Sequence, residues 1–220
     1  GYNSGYNISS NSSFNTWIIE PQLTYQRNVS KGSLNLLLGE TFQENTTQAQ
    51  ALYLNGYSSD AMLGNIASAS TIIVIRSDYS KYRYNAFFGR INYNWQDKYI
   101  INLTGRRDGS SRFGPGKQFA NFGAIGASWI FSKERFFTKL LPIISFGKLH
   151  GSVGITGSDQ IGDYQYLSTY STTQYIYQGM AGLLPTQLFN PDYAWEINKK
   201  IEVGLEMGFI KDRLFFSTSV

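Results

Sequence analysis

Two features narrow the chemistry open to this chain at once: it has a single histidine, His150, and no cysteine. Histidine-based triads, multi-histidine metal sites, thiolate metal sites and disulfide frameworks are therefore excluded within it. His150 lies on the polar side of an alternating stretch, where a lone imidazole reads as an ordinary wall residue. Gly114-Pro115-Gly116-Lys117-Gln118 sets a lysine behind glycines but lacks the Ser/Thr after it and the correctly spaced first glycine of a phosphate cradle. It reads as a turn. Asp159 and Asp163 could ligate Ca²⁺ together with loop carbonyls, yet two acids fall short of the full spacing of a calcium loop. No catalytic constellation, metal site or cofactor is expected, and the chain does not read as an enzyme.

What remains is recognition chemistry. Arg106-Arg107 with Arg112 is the densest basic group. Arg107 and Arg112 are candidate contacts to a substrate path or a partner. The competing reading is a salt-bridge network at a rim, because Asp108-Gly109-Ser110-Ser111 is turn chemistry and Asp108 can bond its own backbone. Segment 157–194 holds Tyr164, Tyr166, Tyr170, Tyr175, Tyr177 and Phe189 among Gln, Ser and Thr. Exposed rings of that kind stack on sugar faces or pack against a partner protein; a loop packed on itself is the equal alternative. Tyr164, Tyr166, Tyr170 and Tyr177 thus join Arg107 and Arg112 as candidate substrate or partner contacts.

The elements that must position these residues are strands. The 220 residues include 16 Tyr, 15 Phe, 4 Trp and 22 Gly with only 15% charged, a composition that suits twisted sheets. Mean hydropathy is -0.26, and no run approaches the roughly 18 apolar residues of a membrane helix. Ala61–Ile75 is small and apolar but too short to span as a helix. The net charge of +4 is dispersed rather than gathered in a stripe, which argues against nucleic acid.

Period-two alternation predicts eight strands, over 16–27, 33–44, 85–95, 98–107, 118–131, 145–156, 195–209 and 213–220. In the seventh, Ile197, Lys199, Ile201, Val203, Leu205, Met207 and Phe209 share one face, and Glu196, Asn198, Lys200, Glu202 and Glu206 the other. Pro21 lacks a ladder donor, so the first strand must be bulged or shorter than drawn.

Alternation alone fits a soluble β-sandwich as well as a membrane barrel. Three observations favour the barrel. Connections alternate between short (28–32, 96–97, 210–212) and longer (45–84, 108–117, 157–194), with 132–144 moderate, as periplasmic turns and extracellular loops do. The strands run about 10–14 residues, against a soluble average of about 5–6, and a tilted membrane strand needs about 9–11. Finally, Tyr25, Tyr93, Trp95, Tyr99, Trp129, Phe131, Phe136, Phe137, Phe209 and Phe216 gather near the short turns, as an interfacial belt of rings would. The expected fold class is all-β, a section of a large antiparallel transmembrane β-barrel. Segments 45–84 and 157–194 should be extracellular, and 28–32, 96–97 and 210–212 periplasmic.

Several segments carry a family likeness. Gly89-Arg90-Ile91-Asn92-Tyr93-Asn94-Trp95 followed by Asp97-Lys98-Tyr99-Ile100 runs into Gly105-Arg106-Arg107-Asp108-Gly109-Ser110-Ser111-Arg112-Phe113-Gly114. Then come Ala127-Ser128-Trp129-Ile130 with Glu134, Gly147-Lys148-Leu149-His150-Gly151-Ser152-Val153-Gly154-Ile155-Thr156-Gly157, and Asn190-Pro191-Asp192-Tyr193-Ala194-Trp195-Glu196. In this order they resemble the SusC-like family of TonB-dependent outer-membrane transporters of Bacteroidetes. The likeness covers residues 85–213 and is less clear over 1–84. His150 stands where the family has Arg, and Gly157-Ser158 where it has Gly-Asn; both concern wall or rim.

The resemblance implies a bacterial outer-membrane location and a barrel of roughly twenty-two strands, of which about eight lie here. It also implies an N-terminal plug, a TonB box and a SusD-like surface lipoprotein as lid. The expected partners are the rest of the barrel and plug, that lipoprotein, TonB, membrane lipid and lipopolysaccharide, with no nucleic acid. The implied activity is TonB-driven import of oligosaccharides or peptides. A passive porin or adhesion barrel without TonB coupling is the alternative. The polar opening at Gly1-Tyr2-Asn3 and the close inside a strand at Ser219-Val220 fit a section of barrel (1–220) without plug, TonB box or C-terminal strands.

Overall fold

The computed structural model describes residues 5–140 and 143–220, with backbone alone at 138–140 and 174–177. Its strands are β1 (Asn7–Ile19), β2 (Gln22–Val29), β3 (Gly32–Asn55), β4 (Thr71–Trp95), β5 (Tyr99–Ser110) and β6 (Phe119–Trp129). A short helix α1 (Arg135–Leu140) precedes β7 (Ile144–Ser158), β8 (Thr169–Tyr177), β9 (Met180–Gln187), β10 (Glu196–Phe209) and β11 (Leu214–Ser219). The chain divides into two compact units, Gly1–Ile18 with Gln43–Arg83, and Ile19–Phe42 with Tyr84–Val220. Strands β3 and β4 contribute to both.

In the larger unit the strand order is β2-β3-β4-β5-β6-β7-β10-β11, and β8 and β9 form a separate two-stranded hairpin. Register separates two faces across five strands. On one, Ile91 pairs Leu103, Leu103 pairs Ile125, Ile125 pairs Val153 and Val153 pairs Ile201. On the other, the adjacent row reads Asn92, Asn102, Gly126, Ser152 and Glu202. The aliphatic row is open, with Ile125 57% and Ile201 75% exposed. A continuous apolar face of that extent does not stand in water; it is a lipid face, and the polar row faces a wet interior.

The short turns hold the rings. Trp95 and Tyr99 lie 5.5 Å apart, Trp129 and Phe131 5.8 Å, Phe131 and Phe137 4.8 Å, and Phe146 and Phe215 6.4 Å between centroids. Gln96 (φ 54°) and Asp97 (φ 55°) both take left-handed backbone, the signature of a two-residue hairpin turn matched to strand twist. The Asn94 amide steadies it by donating to the Asp97 carboxylate at 2.7 Å.

The smaller unit pairs β1 with the far part of β3, and β3 with β4. Its core is Leu54, Tyr57, Ala51 and Tyr82. Gly56, at φ +74°, has Ser70 Oγ 1.9 Å from where a Cβ would stand, so only glycine fits. Glu44 holds Lys81 at 2.9 Å and Arg83 at 2.8 Å.

Seven of the eight predicted strands each correspond to one strand of the structure, the first is divided in two, and two connections differ from expectation. Segment 45–84 is not one long loop: β3 runs to Asn55 and β4 starts at Thr71, leaving 56–70 with two 3-10 turns. Neither strand half alternates: Asn45-Thr46-Thr47-Gln48 in β3 is polar at every position and Ile72-Ile73-Val74-Ile75 in β4 apolar at every position. The first predicted strand is broken at Glu20-Pro21 into β1 and β2, and Pro21 O accepts from Glu40 N at 3.1 Å. Segment 157–194 contains the β8–β9 hairpin.

Candidate functional site

The loop ends of β5, β6, β7 and β10 carry the densest polar chemistry, and it starts from a burial problem. Asp108 and Ser110, at the end of β5, are only 5% and 3% exposed. A buried carboxylate requires a partner. Arg106 supplies it, donating from Nε to both Asp108 oxygens at 2.8 and 3.0 Å while its Nη2 donates to the Tyr84 hydroxyl at 2.6 Å.

Two residues on, Arg112 closes the turn onto the segment after β7. Its Nε donates to Asp163 Oδ1 at 3.0 Å and its Nη1 to the Asp159 carbonyl at 3.1 Å, with Asp159 Oδ1 at 3.8 Å. Ser110 Oγ donates to Asp159 Oδ2 at 2.7 Å and accepts from Arg112 N at 3.3 Å. Asp159 and Asp163 are thus engaged by a guanidinium rather than arranged around a cation. No cluster of three or more His, Asp or Glu able to hold a metal exists among the described residues.

Beneath the ion pairs lies an aromatic wedge. Phe113 is fully buried, 5.3 Å from the Trp195 ring, and Phe122 meets the same indole edge-on at 5.5 Å. Trp195 Nε1 donates to Gln118 O at 3.1 Å, and Gln118 O also accepts from Ser110 N at 3.0 Å. Gly157 must be glycine: a Cβ there would stand 1.9 Å from Phe122 Cζ. Segments about eighty residues apart, Asp108–Gly114 and Tyr193–Glu196, therefore meet in one lock. Sequence reasoning placed Trp195 and Phe113 in motif segments without giving either a role. Ser110 it read only as a turn residue, and Tyr84 it missed. The signal was the company they keep, since a Trp and a Phe beside charged turn residues mark an anchored loop.

The three neighbouring arginines do not form one patch. Alternation turns Arg107 away from Arg106 and onto the apolar face, opposite Phe87 on β4 and Asn121 on β6. There its guanidinium lies 5.1 Å from the Phe119 ring centre, a cation–π distance, and donates to Asn121 Oδ1 at 3.4 Å.

The tyrosines divide as well. Tyr164, at φ +61°, and Tyr166 are half-buried at the base of the loop. The Tyr166 ring packs over Gly114, 3.1 Å from where its Cβ would be, and Tyr166 O accepts from Asn190 N at 3.1 Å. Tyr170 stands on β8 opposite Pro185 and is 59% exposed. Tyr177 ends β8 opposite Met180, and its side chain lies outside the described residues. Leu183, Leu184, Leu188 and Phe189 are exposed on and after β9. On the polar face of the wall, Lys148 Nζ meets Glu206 Oε1 at 2.9 Å and His150 Nδ1 lies 3.6 Å from the same oxygen.

A family profile described as TonB dependent receptor-like, beta-barrel, matches residues 1–220. TonB-dependent receptor P26 of Formosa agariphila is 31% identical over 206 residues, 90% of this chain and 20% of its own length. TonB-dependent receptor SusC of Bacteroides thetaiotaomicron is 32% identical over 135 residues, 59% of this chain and 13% of its own. Among solved structures, "Structure of the RagAB peptide transporter" superposes with a TM-score of 0.83 at 23% identity, covering 97% of this chain and 24% of that one. "Structure of the RagAB peptide importer in the 'closed-closed' state" gives 0.77 at 26%, covering 97% and 23%. The chain therefore spans about a fifth or less of the length of these curated relatives.

Proposed function

The chain belongs to the TonB-dependent receptor-like β-barrel family of the bacterial outer membrane, and from that premise we propose that it is wall and rim of a nutrient importer taking up oligosaccharides or peptides. The observation that carries the reading is the family match over the whole chain on a wall with one lipid face and one wet face. The 26% identical solved relative is a peptide importer, and the 32% identical relative from Bacteroides thetaiotaomicron is a TonB-dependent receptor, SusC. The partners follow from the same resemblance: the remainder of the barrel and plug, TonB, and a SusD-like surface lipoprotein. We read the chain as a section of a transporter rather than an enzyme, because the family it matches is one of receptors.

Within this proposal the loop end has two tasks. Arg112 fixes the rim so that loops project in one orientation. The β8–β9 hairpin then presents Tyr170 with Leu183 and Leu184 to the lipoprotein or the cargo; exposed aromatic and aliphatic anchors supply most of the energy of such contacts. Tyr164, Tyr166 and Tyr177 support or extend that surface.

The test uses the full-length protein in cells. Uptake should collapse when the proton gradient is dissipated; uptake that persists would favour a passive porin or adhesion barrel instead. Changing Tyr164, Tyr166, Tyr170 and Tyr177 to Ser should leave assembly intact and weaken lipoprotein retention or uptake. Normal assembly, retention and uptake together would reduce the hairpin to a self-packed cap.

A further inference from the structure

We infer that the short-turn end of the wall carries a binding site for a zwitterionic peptide, built on Lys31, Asn94 and Asp97 at the mouth of the wet interior. The turn between β2 and β3 stands beside the turn between β4 and β5. Gln96 N donates to Lys31 O at 3.0 Å, and the Tyr93 hydroxyl donates to Val29 O at 3.1 Å. A Cβ at Gly32 would stand 2.6 Å from Asn94 O, so the two backbones meet with no side chain between them. At this junction lies a cleft of about 320 Å³, lined from both turns by Asn28, Ser30, Lys31, Ser33, Asn94 and Asp97 among others. Asn94 follows Asn92 by two residues on the polar row, so the cleft belongs to the wet face.

The cleft holds polar groups that the chain does not use. Lys31 and Asp97 flank the backbone bond between the turns, opposite in charge, yet neither makes an ion pair among the described residues. Asn94 fixes the acid: its Nδ2 donates to Asp97 Oδ1 at 2.7 Å, which leaves Oδ2 open. Asn94 Oδ1 is buried and has no hydrogen-bond partner. A buried acceptor calls for a donor. At the other short turns such groups are spent, Lys98 on Glu134 and Ser145 on Asp212. Arg90 and Lys211 also lack an ion pair, but as single cations; here cation, acid and orphan acceptor line one cleft.

Those three groups complement a short peptide with free ends. Its ammonium meets Asp97 Oδ2 and Asn94 Oδ1, and its carboxylate meets Lys31 Nζ, both through charge-assisted bonds. A dipeptide is roughly 7 Å long when extended, and the flexible Lys31 stem can follow its carboxylate. A sugar is the poorer match. No aromatic ring lines the cleft, so a sugar face has nothing to stack on, and a neutral ligand leaves both charges unanswered. The site rests on the importer reading above, in which the short turns face the periplasm, and it narrows the cargo to peptides. It is where an incoming peptide is held before release.

The experiment follows amide exchange across 28–33 and 94–99 in purified full-length protein in detergent, with dialanine as the probe. Dialanine should slow exchange in both turns. N-acetyl-dialanine amide, neutral at both ends, and maltose should not. Lys31→Gln and Asp97→Asn should each weaken dialanine binding about fivefold, the upper range for an exposed ion pair. Asparagine tolerates the left-handed backbone at position 97, and heat-modified electrophoretic migration confirms that each variant is a closed barrel. Equal protection by maltose overturns the peptide assignment. Unchanged dialanine binding in both variants, or no protection by dialanine, as a plug seated in the cleft would give, overturns the site. Uptake by cells is scored apart. Gradient-dependent uptake without dialanine protection sinks the site and spares the importer reading; protection with gradient-independent uptake keeps the site and removes its place in active import.

Discussion

The two ends of the same strands are held by opposite means. At the short turns the rings of Trp95, Tyr99 and Trp129 line the lipid face as a belt, Phe146 and Phe215 meet on the wet face, and the backbone carries the strain in positive-φ residues such as Gln96 and Asp97. At the loop end the rings turn inward: Phe113 is buried against Trp195, and ion pairs cover them. The belt depends on lipid for its partners, whereas the lock depends on the chain itself. An end that must stay fixed in a membrane interface can borrow the membrane's order. An end that projects loops into water must make its own.

Breaking the lock should have the largest effect. Phe113→Ala removes a fully buried ring, which costs about 3–5 kcal/mol where the surroundings cannot collapse. Amide exchange should rise across 157–168 and 193–196 while the belt around Trp95, Tyr99 and Trp129 stays protected. Equal loosening at both ends would mean the lock and belt are one cooperative unit.

Next in size is a charge placed where only lipid can receive it. Leu205 lies about five residues from Ile210, near mid-height of the apolar band, so Leu205→Arg should cost about 2–4 kcal/mol in a denaturant titration of the folded barrel. Its neighbour Glu206 faces Lys148 and His150, and Glu206→Gln should cost far less. If both changes are tolerated alike, the faces of β10 are exchanged.

Arg112→Ala should fall below these. Its guanidinium is 24% exposed, as is Asp163, and water can partly replace it. A loss of about 1–3 kcal/mol is expected for charged hydrogen bonds in that setting. A double-mutant cycle with Asp163→Asn should show coupling; strict additivity would dismiss the bridge as an anchor.

These contrasts also explain what was legible in the sequence. The wall was, because a face that meets lipid must be apolar at every second residue, and Ile201 to Phe209 obey that rule. The upper halves of β3 and β4 were not, because Asn45 to Gln48 is polar at every position and Ile72 to Ile75 apolar at every position, so neither stretch alternates. The lock was half legible. Turn residues around Asp108 announced a rim, but the pairing of Arg112 with Asp163 and of Phe113 with Trp195 joins segments that only the register brings together. Adjacency misled at Arg106-Arg107, where period-two alternation sends neighbours to opposite faces.

The smallest effect is expected at the short-turn end, where a polar clasp backs the belt. Lys98 Nζ meets Glu134 Oε2 at 2.9 Å and the Tyr99 hydroxyl donates to Glu134 Oε1 at 2.9 Å. The Lys98 bond first, and the Tyr99 bond second, hold the Glu134 carboxyl below its ordinary range. A lowered folded pKa means the unfolded chain binds the proton more readily, so the clasp contributes fully above the ordinary glutamate value of about 4.3. The contribution fades as pH falls through the lowered folded value. Amide exchange of the 96–99 turn should therefore be unchanged between pH 7 and about 5, after correction for intrinsic rates, and should quicken only below about 4. Glu134→Gln should show the faster exchange at every pH, the two proteins converging in acid. Loosening of the wild-type turn already between pH 7 and 5 would show that another group, not Glu134, governs this end of the wall.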